Sequence, residues 1–597
     1  VKQENKPPAS SLKEFKSLFP YLREYRFHYT FGILFLLMVN AANVIIPQFM
    51  RRAIDIITGG NFVLRDIIIP AASMVGLMVL ISAGRFLWRF FINGAARRIE
   101  AQIRQNLFRH LLSLSYDFYQ KNKIGDLMAR ATNDLNAIRE SIGMGIVALI
   151  DSVVMLTAIL IIIFIQDTRT AAWAVIPLPI ITIFILFFGK VIGKRFRRSH
   201  EAYSSMSDVV QESFAGMRVI KSFVKEWWFI KKFSESNDEY RDANMALVRL
   251  WGIFFPLVTF LSGLTVLIVL LVGGIRVIEG YMTPGDLVAL FSYLRMLIWP
   301  LMGAGFVVNM IQRGAISLSR INDIMKTVPS IQGGDEVSND DEKPIIELKN
   351  LSFEYVEGKP VLEDISLSIK KGSILGILGK TGSGKSTLIK AITRMIDPVN
   401  NSGTGSSVYI KGIESSAWDL EELRQLFAVT PQDSYLFSDS IKNNIGYAGD
   451  SESDEEELGA AATKAAMDKD FTFFKNGWNA LIGERGLTLS GGQKQRTAIA
   501  RSIAANREIL ILDDSLSAVD AETETKILEN LFNLSRDNAS VTMILISHRV
   551  STLARADHVI VLDKGAILEQ GSPAELIALG GSYARTAALQ SLGKDDG

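Results

Sequence analysis

The sequence contains no cysteine. Disulfides, thiol catalysis and cysteine-held metals are excluded, although the compartment is not fixed by this. An excess of one charge is also missing: 64 Lys and Arg stand against 63 Asp and Glu, a net charge of +1. Bulk electrostatics therefore gives no case for nucleic acid as a partner. A cleavable signal is not expected either. Val1 to Ser17 is polar and lysine-rich, and the first apolar run is long enough to cross a bilayer.

Apolar residues are abundant, at 48% of 597, and the chain is too long for one domain. The excess lies before about Ile311; the rest has the composition of a soluble domain. A hydrocarbon core of about 30 Å takes about 20 apolar residues in a helix. Six segments qualify: Tyr29–Met50, Ile68–Ile92, Gly143–Ile165, Ala171–Ile192, Trp251–Ile278 and Leu287–Ile311. The loop after the second carries Arg97, Arg98, Arg104, Arg109, Lys121, Lys123 and Arg130. The loop after the fourth carries Lys194, Arg195, Arg197, Arg198, Arg218, Lys221 and Lys225. The opposite loops are short and poor in cations, apart from the first, where Arg51, Arg52 and Arg65 blur the bias. The positive-inside rule then places both termini and the long loops in the cytoplasm. Leu12 to His28 suits a helix lying on the inner membrane surface. Apolar residues in the long loops recur at helical spacing, as at Ile99, Ile103 and Leu107, so the loops read as cytoplasmic extensions of the spans. Their reversal points fall near Tyr116–Lys123 and Gly216–Phe223.

Ionisable groups inside spans need partners or water. Asp151 and Arg89 are expected to form a structural ion pair, with Arg85 nearby. Arg295, together with Phe291, Tyr293, Met296, Trp299 and Pro300, is a candidate lining for a substrate cavity. Boundaries are expected at 1–28 for a tail and interfacial helix, 29–327 for a six-helix membrane domain, 328–343 for a linker and 344–597 for a nucleotide-binding domain.

In the last of these, an apolar strand ILGIL leads into GKTGSGKST and then a helix. Strand, loop and helix in that order are the context that supports a P-loop. Gly379, Gly382 and Gly384 let backbone N–H groups approach phosphate, and the helix N-terminus adds its dipole. Lys385 neutralises phosphate charge and Ser386 offers a hydroxyl to Mg²⁺. This P-loop is a Walker A motif; downstream, ILILD (Ile509 to Asp513) is a Walker B strand, four apolar residues and a carboxylate, and Asp514 follows it.

Six spans with long inner loops, followed by this P-loop domain and Leu489-Ser490-Gly491-Gly492-Gln493, resemble a half-size ABC exporter of the multidrug type. Among these the chain is most similar to the degenerate-site subunit of bacterial heterodimeric exporters, over nearly its whole length. The resemblance implies an α-helical membrane domain followed by an α/β nucleotide-binding domain, with ATP and Mg²⁺ as cofactors. It implies that Tyr355 stacks on adenine and that the P-loop from Gly379 through Thr381, Ser383 and Thr387 holds phosphate. Ser386, Gln432 and Asp513 would serve the metal, and His548 the γ-phosphate. Ser490, Gly491, Gly492, Gln493 and, in the D-loop, Asp520 would complete a site across a dimer. Gly483-Glu484-Arg485-Gly486 resembles the loop that reads the partner's coupling helix. Asn400–Ser407 and Asp450–Glu457 depart from the family as longer, solvated turns.

The sharpest departure is Asp514, where the family carries its catalytic glutamate. General-base assistance is worth about 10²–10⁴-fold, and a carboxylate one methylene short falls back by roughly 1.5 Å, which can cost about 10²-fold. The resemblance then implies a slow site of the chain's own, an intact signature serving a partner, and a non-identical second half-transporter bearing the consensus glutamate. Membrane lipid and a hydrophobic small molecule or lipid cargo would be the other partners. The place implied is a bacterial inner membrane, with the nucleotide-binding domain cytoplasmic. The alternatives are a homodimeric lipid flippase, for which Asp514 must suffice, and an ATP-gated regulatory or channel-like protein.

Overall fold

The computed structural model describes residues 11–60, 63–337, 343–356, 358–398, 405–449, 455–471, 474, 476–483, 489–537 and 541–592. Glu484–Gly486, most of Asn400–Ser407 and of Asp450–Glu457, and the side chain of Trp299 lie outside them. The chain divides into two compact units, 1–113 with 122–327, and 114–121 with 328–597.

The first unit is helical. Arg26–Thr58 (α1), Leu64–Ser113 (α2), Ile124–Gln166 (α3), Thr168–Ala215 (α4) and Glu226–Ile278 (α5) are each long and apolar enough to cross a membrane. A sixth helix, Pro284–Met325 (α6), contains the sixth apolar segment. Each is longer than its apolar run, because the basic loops continue the spans as helix. A short 3₁₀ turn, Ser11–Leu18, and the helix Phe19–Glu24 precede α1. Leu18 is buried there, and Asn322 of α6 donates to Glu14 and to Ser17.

The cations read as lying in the first loop resolve differently. Arg51 lies inside α1, and its Nε is 2.8 Å from Asp286 Oδ1 and 3.7 Å from Asp55 Oδ2. Asp286 also closes the capping box that starts α6, with Thr283 at the cap. Gly285 N donates to Asp55 at 2.9 Å, and a Cβ at Gly285 would strike the α1 backbone, so only glycine lets these ends approach. Asp167 is the N-cap residue of α4, accepting from Thr170 N, and pairs with Arg276 of α5 at 2.9 Å.

Helix α2 contains a π-turn at Arg89–Asn93, and α3 contains two, at Arg130–Asp134 and Ser141–Gly145. A π-turn is a one-residue bulge in the helix and is frequent at functional sites. The apolar core of the unit lies around Ile92, Ile99, Leu135 and Ile142 on one side and Ile159, Val269 and Leu297 on the other.

The second unit carries two sheets. Ile346–Val356 (β1), Lys359–Ile369 (β2), Ser407–Ile410 (β4) and Ile413–Glu414 (β5) form an antiparallel sheet in the order β2-β1-β4-β5. The larger sheet runs β10-β9-β3-β8-β7-β6. Its strands are Ile374–Gly379 (β3), Phe427–Thr430 (β6), Ile509–Asp513 (β7), Thr542–Ser547 (β8), His558–Asp563 (β9) and Ala566–Gly571 (β10). All its pairings are parallel except β9 with β10. Parallel strands covered on both faces read as unbroken apolar runs, and every residue of β7 and β8 is buried. Lys385–Ile392 (α7) follows β3, and Gly491–Ala504 (α8) precedes β7.

The stretch read as a linker is partly laid onto this unit. Gly334 N donates to Trp418 O and Glu336 N to Ala417 O. Leu114–Lys121 belongs to the same unit: Ser330 Oγ donates to Asp117 at 2.9 Å, Ile331 N to Ser115 Oγ at 3.0 Å, and Lys390 lies over the Tyr116 ring.

Candidate nucleotide-binding site and membrane cavity

Strand β3 ends at Gly379 and α7 begins at Lys385, so the loop between them lies at the carboxyl edge of the parallel sheet, where such folds bind ligands. Gly382 and Gly384 have φ of +82° and +102°, a region that L side chains rarely adopt. A Cβ at Gly379 would meet Ser383 Oγ and Leu562 O at 2.5 and 2.6 Å. The Ser383 hydroxyl is buried with no hydrogen-bond partner. Lys385 Nζ donates to Gly379 O at 2.7 Å and Lys380 O at 2.8 Å, ready to exchange loop carbonyls for phosphate. Burial holds its ammonium below the ordinary lysine value, against the pull of Asp514 and Asp513. These features fit a phosphate chain.

Ser386 bonds to Asp513 at the end of β7, whose carboxyl is pushed up by burial. Asp514 follows in the left-handed region, φ +46°, with its N–H on Ile546 O. Its carboxylate is 3.0 Å from His548 Nδ1, beyond β8. Tyr355, at the end of β1, is half exposed, and its hydroxyl is 3.5 Å from Thr387 Oγ1. A strand-core tyrosine would be buried, so the ring is free to serve a flat ligand. Thr381 is exposed on the loop, and Gln432 is exposed just past β6. The structure thus brings together Tyr355, the P-loop, Asp513, Asp514 and His548.

The signature residues are engaged elsewhere. Ser490 and Gln493 form a reciprocal capping box at the start of α8, and Gln493 Nε2 reaches Asp470. Their side chains point into the cap, while the helix start carries the dipole that favours an anion. Asp520 caps the next helix, accepting from Thr523 N at 3.0 Å, which holds its carboxyl below the ordinary aspartate value.

Sequence reasoning missed what fixes the turn at His548. Glu524 accepts from Arg549 and, at 2.7 Å, from Thr552. Gln590, in the C-terminal helix, donates to His548 O at 2.7 Å and accepts from Val550 N at 2.8 Å. Forty-two residues separate Gln590 from His548, so no local pattern marks it. Each such bond is worth about 1 kcal/mol. Gln590→Leu is therefore expected to destabilise the domain by roughly 2 kcal/mol and to speed amide exchange at Val550, read by hydrogen–deuterium exchange. Unaltered exchange there would show that Gln590 does not hold this loop.

In the membrane unit, a cavity of about 540 Å³ is lined by Asn40, Arg85, Arg89, Asp151, Met296 and Pro300 among others. Asp151 pairs with neither arginine within 4.0 Å, correcting the expected ion pair. Tyr293 is wholly buried, donating to Val44 O and accepting from Gln48, so it is a core tie between α6 and α1 rather than a cavity wall. Arg295 is exposed and does not line this cavity.

Residues 29–301 match the ABC transporter transmembrane region family, and residues 362–517 match the ABC transporter family. Similar proteins extend across nearly the full length. The probable multidrug resistance ABC transporter ATP-binding/permease protein YheI of Bacillus subtilis is 37% identical over 97% of both chains.

The chain belongs to the ABC transporter family.

The multidrug resistance-like ATP-binding protein MdlA of Escherichia coli is 32% identical over 94% of both chains. An ATP-dependent lipid A-core flippase of Syntrophus aciditrophicus is 33% identical over 83% of this chain and 81% of its own. The structure of a bacterial Atm1-family ABC exporter with ATP bound superposes with a TM-score of 0.76 at 26% identity, covering 95% of this chain and 98% of that one. This ABC transporter is thus a multi-pass, half-size exporter that couples ATP hydrolysis to transport.

Proposed function

We propose that this chain is one half of a heterodimeric exporter and that its own Walker motifs form the slower of two ATP sites. The observation carrying this is Asp514, which stands after the Walker B Asp513 and reaches only as far as His548. In its own site, Lys385 and the P-loop N–H groups bind the phosphates, and Tyr355 takes the adenine. Ser386, Asp513 and Gln432 would hold Mg²⁺, which supplies charge neutralisation on the phosphates. His548 contacts the γ-phosphate while Asp514 Oδ1 fixes its ring, and the short side chain leaves the other carboxylate oxygen too far back to orient water. The α8 N-terminus, with its side chains committed to the cap, presents Gly491 and Gly492 to a nucleotide held by the partner.

A second chain is also favoured by the reversal between α4 and α5. Phe214, Val219, Phe223, Val224 and Trp227 are all exposed there, outside the spans. A concentration of exposed apolar residues of this kind marks an interaction site. The names of the relatives suggest amphipathic drugs or lipids as cargo, moved outward from a cytoplasm that holds the basic loops and the nucleotide-binding domain.

The purified chain, reconstituted alone, is expected to hydrolyse ATP at least tenfold more slowly than when it is co-reconstituted with a half-transporter bearing glutamate after Walker B. Brisk turnover by the chain alone, abolished by Lys385→Ala, would overturn the slow-site reading and favour the homodimeric flippase.

A further inference from the structure

A smaller pocket, about 250 Å³, opens between α1 and α2 where both helices pass from apolar to polar sequence. It is lined by His28, Arg89, Phe90, Asn93, Arg97 and Arg98, with Gly94. It contains no carboxylate. Arg98 Nη1 lies 3.2 Å from His28 Nε2, so its close polar partner among the described residues is another basic group. The acidic residues nearest in sequence are engaged: Glu24 accepts from Gln102, and Glu100 from Arg104 and Arg139. Among the described residues, the contact of the Arg89 guanidinium is the Trp88 ring, 5.4 Å away.

The π-turn at Arg89–Asn93 composes the pocket. Arg89, Asn93 and Arg97 follow at intervals of four, as do Phe90, Gly94 and Arg98. The inserted residue shifts the phase of the helix so that both rows border the pocket. Phe90 lines the pocket and stacks on Phe86, and both, like Phe31, are exposed. Phe91 links this aromatic group to Phe31 and Phe35. Unpaired cations above a band of exposed aromatic rings match a ligand with an anionic head and apolar tails. With the basic loops cytoplasmic, as proposed above, this is the leaflet rich in anionic lipid, and basic pockets between helices on that side bind such headgroups.

We infer that this pocket is a binding site for the headgroup of an anionic phospholipid, with Arg97, Arg98 and His28 on the phosphate and the exposed phenylalanines along the acyl chains. Arg89 also lines the larger cavity, so the bound headgroup borders that space.

The test is lipid retention by the full chain in nanodiscs of mixed phosphatidylglycerol and phosphatidylcholine, read by native mass spectrometry. An arginine that a bound headgroup contacts contributes about a fivefold preference for anionic lipid. Arg97→Gln with Arg98→Gln is expected to lower the preference for phosphatidylglycerol by roughly 25-fold. Arg195→Gln with Arg198→Gln, at the cytoplasmic end of another span, is expected to leave it largely intact. A photoactivatable phosphatidylglycerol should label wild-type residues within 26–31 and 86–98, which tests the site even if the double variant fails to fold. Equal retention by the wild type and the first variant, equal loss in both variants, or labelling outside these segments would each overturn the site. Displacement of the lipid by inorganic phosphate at millimolar concentration would instead make it a free-phosphate site. Retention is indifferent to ATP turnover and to orientation, so a failure of the slow-site reading leaves this result standing.

Discussion

Asp514→Glu is expected to raise ATP hydrolysis by the chain's own site by about 10²-fold. The added methylene carries the carboxylate roughly 1.5 Å farther, past the His548 contact, to where a water in line with the γ-phosphate would lie. The backbone tempers the gain. Residue 514 sits at φ +46°, a region where aspartate is several-fold enriched and longer side chains are disfavoured. Aspartate thus relieves local strain while shortening the base. The expected signature is a higher single-turnover rate with little change in ATP affinity, because Lys385 and the P-loop are untouched. Adding Lys385→Ala should abolish the gain. A single-turnover rate unchanged by Asp514→Glu would show that the missing methylene does not limit this site.

The second large effect concerns the signature helix. Arg496 of α8 makes a two-pronged contact with Asp470, at 2.8 and 2.7 Å, and both side chains are largely buried. Gln493 reaches the same carboxylate. Removing one member of a buried pair strands the other, at a cost of about 3–5 kcal/mol. Asp470→Ala should therefore destabilise the nucleotide-binding domain by about that amount in denaturant titrations. It should also free Gln493, loosening the cap that presents Gly491 and Gly492. ATP turnover in the presence of a partner chain is expected to fall even below the unfolding temperature. Asp470→Asn keeps the shape, so a milder loss is expected there. A cost below about 1 kcal/mol for the alanine variant would mean the pair is solvent-relaxed rather than buried.

The spans were legible because twenty apolar residues in a row leave few alternatives to a membrane helix. The P-loop was legible because strand, glycines, lysine and helix are adjacent in sequence. What sequence could not supply were pairings set by packing. Arg51 read as a loop cation because its partner, Asp286, lies on another helix. Tyr293 read as a cavity wall because its alcohol partners, Val44 and Gln48, are about 245 residues away. Asp151 and Arg89 read as a pair on depth alone, but facing a cavity together did not bring them into contact. Gln590 carried no signal at all, since a glutamine in a terminal helix is ordinarily a solvated one.

The π-turn of α2 has a consequence for how this helix can change. An α-helix advances about 100° per residue, so the bulge at Arg89–Asn93 is an insertion the helix has absorbed. Deleting one residue there would leave α2 continuous and the same length to within about 1.5 Å. The lost π-turn cancels the lost residue, because that turn holds about one residue more than an α-turn, so the segments on either side would keep nearly the same facing. Arg97 and Arg98 would stay on the face they share with His28, and only the residues within the turn would be re-aimed. Relatives that differ at this point by a single residue would therefore present the same surfaces to the bilayer on either side of it, and an alignment that misplaces such a gap would equate residues whose facings differ by about 100°.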